Sequence, residues 1–447
     1  MEFRRYFEIR NRVLQKQSGG IEMKKSLKGI SMAVAMMAVG SMSVCPVMAE
    51  ELPDTTFTFA SWALAEETLE PIYASTATTF MDQNPNVTIE LDGSQAYSTY
   101  LDQLLVSAIS GTAPNVAHIK EEWLPQLLDT GAVKTIVGIS DEVLADYSES
   151  AIESVTVDGE MKAMPWFANT VAVFCNTELA EEAGVDIDAI SCWQELVEAA
   201  EKVSDLGSDI YGLAFPDSEV ETGEGYNVLP VLWAHGAELI TDDQISLTSD
   251  ESVEAYTELQ HLFQDGISPK GLTLKELRNL FGQGKIGFYY DLQQSIPTAA
   301  SVAADEATFY DNFKCIEIPA QNDTHGAGYL SSHFLVVFDT TTDDQMPAVS
   351  AYLEHMSSAD VIQILYDAGL GKMSTRASVN EEVFAGTDDI TAVYAQAMES
   401  ARALPVRQLD MAEVDNAMVK ALTQIANGND VKTVLEALQG ELTALLK

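Results

Sequence analysis

The sequence predicts an α/β protein folded as two lobes, and three observations carry that prediction. Strand-like alternation and helix-like periodicity take turns from Asp54 onward, the pattern of parallel sheets with helices on both faces. At 447 residues the chain exceeds one average domain and suffices to bury two cores. Neither an internal repeat nor a low-complexity linker interrupts it, so the boundary between lobes must be a crossing inside ordered structure.

The first 49 residues read as an export segment rather than as fold. From Met23 they hold a positive stretch (Lys24, Lys25, Lys28), an apolar run from Ile30 to Val44, and a small-residue cleavage site at Val47-Met48-Ala49. The run contains serines and is shorter than the ~20 apolar residues a spanning helix needs. Residues 1–22 match no targeting pattern, and Ser18-Gly19-Gly20 could be a translated ribosome-binding site, so starts at Met1 and Met23 both stay open. Cys45 keeps a second alternative open, lipid anchoring there instead of cleavage after Ala49, although Val44 stands where a lipid-attachment motif wants a small residue.

Removing residues 1–49 takes away eight Lys/Arg and three Asp/Glu and leaves a formal charge of −50. Such a surface repels nucleic acid and anionic membranes, and it argues mildly for a neutral or cationic partner. Cys175, Cys192 and Cys315 remain, an odd number without a C-x-x-C pair, which speaks against a disulfide framework or a zinc site and for free thiols.

Taken in order, "TFTFASW" alternates Phe57 and Phe59 on one face, Glu66 to Asp82 is helix-like, and "NVTIELDG" is a strand. Tyr97 to Ser110 puts Leu101, Leu104, Leu105 and Ala108 on one helical stripe before the short strand "NVAHI". Ligands of open α/β sheets sit beyond the C-terminal strand ends, which here carry Ser61-Trp62, Asp92-Gly93-Ser94 and Glu121-Glu122-Trp123. "MPWFANTVAVFCNTELAEEAG" runs a proline and two aromatics into a strand, then into a helix capped by Asn176 or Thr177. "SCWQELVEAAEKVSDLG" is amphipathic with Trp193 inward, "DIYGLAF" is a strand, and "GEGYNVLPVLWAHGAELI" enters a helix. Thr248 and Glu251 form a capping-box signature ahead of a helix with Tyr256, Leu259 and Phe263 inward. Beyond it come strands at Ile286 to Tyr290, "FKCIEIPA" and "YLSSHFLVVF", helices over "DDQMPAVSAYLEHM" and "VIQILYDAG", and two terminal helices broken at Asn427-Gly428.

Catalytic constellations are missing from this pattern. No G-x-S-x-G, H-E-x-x-H, Walker or G-x-G-x-x-G motif occurs, and the six histidines show no short metal-ligand spacing. Adjacent carboxylates such as Glu121-Glu122 are expected in a chain this acidic and identify no general acid/base pair. An α/β protein with aromatics at strand ends and no catalytic set suits a binder without cofactor or metal. Trp and Tyr faces match the C–H face of a sugar ring, and Asp, Glu and Asn bond its hydroxyls.

Several stretches in order resemble the extracellular solute-binding proteins of the maltose-binding-protein type. These are "MPWFANTVAVFCNTELAEEAGV", "CWQELVEAAEKV", "YGLAF", "FGQGKIGF", "GYLSSHFLVVF…AVSAYLEHMSS" and "NGNDVKTVLEAL". The resemblance covers nearly all of the chain beyond residue 49. It implies a monomeric, two-lobed periplasmic-binding-protein-like (Venus-flytrap) fold, with residues 54–168 plus 320–372 in one lobe and 169–319 plus 373–447 in the other. It also implies a carbohydrate cargo, an oligosaccharide, clamped by hinge closure and passed to the permease of an ABC importer. Membrane contact would come only through that permease or a lipid on Cys45.

Carried over residue by residue, the resemblance puts Pro165 and Trp166 on a hinge strand facing the cleft, with Asn169 at a polar cleft position. Glu224 and Tyr226 match a Glu-x-Tyr whose ring stacks on ligand, while Trp233 falls deeper in that helix. Trp62, Ser94, Glu121 and Trp123 fit the first-lobe rim. In place of the family's Gly-x-Trp stands "YYDLQQ", offering Asp291 and Gln294, and in place of Pro-x-Arg stands Ser374-Thr375-Arg376, with Arg376 expected at the cleft. Alternation sends Trp166 and Phe167 to opposite faces, and Trp166 is the ring expected to meet cargo. A cationic, polyamine or peptide cargo on the same fold is the alternative, and an exported glycoside hydrolase the third reading.

Overall fold

The computed structural model describes residues 52–218, 225–320, 326–387, 389–406 and 408–446. The stretch expected to be an export segment, including Met23, Cys45 and Ala49, lies outside them, as does Glu224. No described helix is long and apolar enough to cross a membrane.

The alternating sequence folds into two main sheets. In the first lie β1 (Thr55–Ala60), β2 (Val87–Asp92), β3 (Val116–Lys120) and β4 (Ala163–Asn169). The second takes β5 (Val171–Asn176), β6 (Tyr211–Ala214), β7 (Ile286–Leu292) and β8 (Phe313–Ile316). The chain then returns to the first sheet with β9 (Ser331–Val337) and β10 (Met373–Ser374). The strand orders are β10-β4-β9-β3-β1-β2 and β8-β5-β7-β6.

Five of the eight pairings within these sheets are antiparallel, which corrects the expectation of mostly parallel sheets. The strand-helix-strand runs β1–β3 pair in parallel, whereas strands arriving from the other sheet enter in the opposite sense. Antiparallel order is thus the consequence of a chain that leaves each sheet and comes back.

The first crossing is a single residue. β4 pairs with β9 through Asn169, Thr170 belongs to neither sheet, and β5 opens at Val171 against Leu292. Both strands are buried along their whole length, which explains their continuous apolar composition. The return segment passes so close that a Cβ at Gly328 would lie 2.3 Å from Thr170 Oγ1 and 2.9 Å from the Val171 carbonyl oxygen. Only glycine lets the two crossings touch here.

Helices cover the sheets as the periodicities predict, with α1 (Glu70–Gln83) and α2 (Tyr97–Ser110) on the first sheet. α3 (Trp193–Ser204) turns Trp193, Leu196, Val197 and Ala200 inward on the second. Asn176 caps the helix Thr177–Glu182 by accepting from the Leu179 N–H at 3.1 Å. α4 (Asp250–Gln264) begins one residue later than its sequence signature suggests. Ser249 rather than Thr248 is the cap, because the Thr248 hydroxyl is taken by Gln439 at 3.0 Å. The genuine capping box belongs to α5 (Leu274–Gly282), where Thr273 and Glu276 bond reciprocally.

Cys175, Cys192 and Cys315 are free, and the first and last are buried. Trp233 is half-buried rather than core, with the Arg402 guanidinium 5.2 Å above its ring.

Candidate functional site

The ends of β1 and β3 build one wall. Ser61 caps the turn Trp62–Ala65, its hydroxyl accepting from the Ala63 N–H at 3.2 Å, and this turn lays Trp62 flat on His118, ring centroids 3.9 Å apart. Trp123 meets Trp62 edge-on at 5.1 Å, while Tyr97 and Tyr100 of α2 close the cluster at 5.8 and 5.4 Å. The Tyr100 hydroxyl donates to the Ala60 carbonyl and pins the helix to the strand end. Tyr97 is 49% exposed, so the cluster offers one aromatic edge to solvent.

Glu121 lies in the same wall, 1% exposed, and its Oε1 has no hydrogen-bond partner among the described residues. Burial, reinforced by the Glu122 carboxylate and opposed only in part by donors from Ser332, pushes its pKa up to about 8. At neutral pH Glu121 therefore holds a proton and presents an O–H. Glu122, by contrast, is ion-paired to Lys120. Ser94 follows β2 as an exposed rim residue whose N–H donates to Asp92.

Two histidines 215 residues apart meet beneath this wall. His118 Nδ1 bonds Ser61 Oγ at 2.9 Å and its Nε2 bonds His333 Nδ1 at 2.8 Å. Burial, with help from the Lys372 ammonium, drives both imidazoles well below their usual pKa, so the chain Ser61–His118–His333 is uncharged.

Trp166 and Phe167 of β4 are both fully buried, so neither offers an open face to cargo, and they differ in what they pack against. Trp166 is fully buried between Phe59 at 6.5 Å and Tyr73 at 5.8 Å. It is a core residue of the first lobe, correcting its assignment to the cargo. The registers explain this: Phe334 of β9 lies beside Pro165, and a bulge between His333 and Phe334 sets Phe167 beside His333. Phe167 stacks on His333 at 4.6 Å and carries the Lys372 ammonium 5.2 Å from its ring centre. With its amide oriented so that each end meets a complementary neighbour, Asn169, on the Phe167 side of the strand, donates to the Gly371 carbonyl at 3.0 Å and accepts from Lys372 Nζ at 3.2 Å.

The turn Gly225–Val228 supplies Tyr226, half-buried, whose hydroxyl donates to the Met411 carbonyl at 2.7 Å and whose ring meets Tyr329 at 5.8 Å. Burial raises its pKa, and the carboxylates of Asp415, Glu122 and Glu121 add to the rise. Tyr226 thus stands in the field of the first wall's acids, across the crossing. Lys372 also spans the divide, donating to Gln294 Oε1 at 3.0 Å.

Two other expected site residues are otherwise engaged, and both are corrections. Asp291 is buried and saturated. Arg278 donates to it twice, at 2.6 and 2.8 Å, with the Tyr289 hydroxyl and the Leu292 N–H adding two more bonds. Arg376 turns away to Asp146 at 2.9 Å and the Ser357 carbonyl at 3.3 Å. Their neighbours use up the polar capacity a ligand would need.

The model of the bacterial extracellular solute-binding protein family matches residues 75–396. The chain belongs to this family. A binding protein of Brucella abortus is 27% identical over 222 residues, 48% of this chain and 53% of its own length. The maltotriose-binding protein of Pyrococcus abyssi is 24% identical over 188 residues, 41% of this chain and 38% of its own. The alignments thus span about half the length, or less, of these relatives. In fold, the crystal structure of the cyclic alpha-maltosyl-1,6-maltose binding protein from Arthrobacter globiformis superposes with a TM-score of 0.75 at 22% identity, covering 88% of this chain and 98% of that one. The fold of this solute-binding protein is therefore the two-lobed one that the resemblance implied.

Within this solute-binding protein, Trp62, Trp123 and Glu121 share one wall with Ser94 on its rim, Asn169 ends the strand that leads to the first crossing, and Tyr226 lies within electrostatic reach of Glu121. Reading the sequence missed His118, His333, Phe167, Tyr97 and Lys372. The one available signal was the glycine pair flanking Leu370 ahead of Lys372, where Gly371 takes a φ of 57°.

Proposed function

We propose that this protein is the extracytoplasmic receptor of an ABC importer and that it clamps a carbohydrate, an oligosaccharide, between its lobes for delivery to the permease. The expected lobe bounds, 54–168 plus 320–372 and 169–319 plus 373–447, shift slightly: the first crossing is centred on Thr170, and Asn169 and Met373–Ser374 stay with the first sheet, to which they are paired. The observation that carries the reading is one wall that combines an exposed aromatic edge, Tyr97 backed by Trp62 and Trp123, with a buried acid, Glu121, lacking a partner on Oε1. Sugar rings need this pairing of apolar face and unspent hydrogen-bonding group. The names of relatives support it: maltotriose, arabinooligosaccharide and galactooligosaccharide are the cargoes of three of them.

The clamp works by differential affinity. A cargo touching both Glu121 and Tyr226 binds the closed arrangement better than the open one and shifts the population toward it. A neutral and acidic oligosaccharide panel should raise the melting temperature with ligand concentration and change tryptophan fluorescence through Trp62 and Trp123. A panel producing neither response overturns the carbohydrate reading.

A further inference from the structure

We propose that the cargo is an acidic saccharide, of the uronate class, and that Lys372, held in place by Asn169, receives its carboxylate; this rests on the carbohydrate reading above. Six of the eleven described lysines lie within 4 Å of a carboxylate, and four of the other five, Lys202, Lys270, Lys275 and Lys432, are exposed to water. Lys372 is half-buried and has no such partner among the described residues. Among the described residues its ammonium is held only by neutral groups, the Gln294 amide beyond the second-sheet strand β7 and the Asn169 amide at the end of the first-sheet strand β4, above the Phe167 ring. A cation so removed from water without a counter-charge is costly, and an anion arriving between the lobes relieves that cost.

The surroundings contribute no hidden counter-charge. Burial and the Lys120 ammonium bring the Lys372 pKa down to about 8, the behaviour of a cation lacking an anion. His118 and His333 are neutral beside it. Glu121, the buried acid of the wall, keeps its proton at neutral pH, and Glu122 is taken by Lys120. The wall therefore presents donors, an ammonium and a carboxylic O–H, with the Asn169 amide holding the ammonium in place. Such a set matches a carboxylate better than a cation, so the local field opposes the inference drawn from net charge. Surface charges beyond roughly 10 Å are screened at ordinary ionic strength, which leaves the near groups in control.

The test is titration calorimetry of the protein with oligogalacturonate, a neutral maltooligosaccharide of equal length, and trilysine. We expect oligogalacturonate to bind most tightly, to weaken with added salt, and to lose about ten- to a hundred-fold in affinity in Lys372→Met, the value of one charge-assisted hydrogen bond. Lys372→Arg keeps the cation and should retain most of the affinity, which also covers the case in which Lys372→Met fails to fold. Binding of the neutral oligosaccharide alone, or a uronate affinity indifferent to Lys372→Met, overturns this inference and leaves the carbohydrate reading standing. Binding of trilysine alone overturns both, and binding of none of the three overturns this inference while the wider oligosaccharide panel decides the carbohydrate reading.

Discussion

Glu121 and Asp291 are both buried carboxylates near strand ends, one in each sheet, and both read from the sequence as cleft residues. Their surroundings are opposite. Asp291 receives four hydrogen bonds, two from Arg278, and has no capacity left. Glu121 leaves Oε1 bare and keeps its proton instead. The contrast teaches that burial of an acid does not by itself mark a binding site; an acid whose hydrogen-bonding capacity is spent is structural, and one with an unspent oxygen at a strand end beside an exposed aromatic edge is the candidate.

The largest effect expected in the two walls tests the core side of the comparison. Trp166→Ala should cost about 3–5 kcal/mol of stability by opening a cavity among Phe59, Tyr73 and His118. Trp166→Phe should cost far less, because the indole N–H has no acceptor among the described residues to lose. Denaturant unfolding measures both, and a stable Trp166→Ala protein that has lost its cargo would restore this ring to the cleft.

Next comes Asp291→Ala, which strands the Arg278 guanidinium and should lower stability by about 3 kcal/mol. Cargo affinity of the folded fraction should stay unchanged. An affinity loss without a stability loss would erase the distinction between the two acids.

The smallest change in stability is expected for Glu121→Gln, and its signature lies in pH. The folded pKa of Glu121 is raised, so the folded state holds a proton that the unfolded state releases from about 4.5 upward. Its contribution is fully present below that value and is lost as pH rises toward 8. The stability difference between wild type and Glu121→Gln should therefore drift against the wild type over that interval and level off above it. Lys372, whose folded pKa is lowered, acts in the opposite sense and only above about 8. A difference independent of pH would show that Glu121 is ionised and partnered.

Much of this was legible in the sequence where the cause is local. Ser61 and Trp62 follow β1 by adjacency, and the amphipathic stripe of α3 dictates that Trp193 is buried. The capping site of α4 was misread by one residue because a distant side chain, Gln439, competes for Thr248. The face of Trp166 was misread because alternation says that neighbours point apart and is silent on which direction is inward. The bulge and register of β9, more than 160 positions later, decided that.

Composition and periodicity by themselves determined the α/β class, the aromatics at strand ends and the order of most elements, since hydrophobic patterning and strand length act over a few residues. The tertiary structure alone decided which polar groups are spent and which are left over. The Asp291–Arg278 pair, the His118–His333 contact and the isolation of Lys372 join residues from 13 to 215 positions apart, or reflect a partner that never arrives. A hydrogen bond or its absence is settled by which surfaces meet on folding, and no spacing along the chain encodes that meeting.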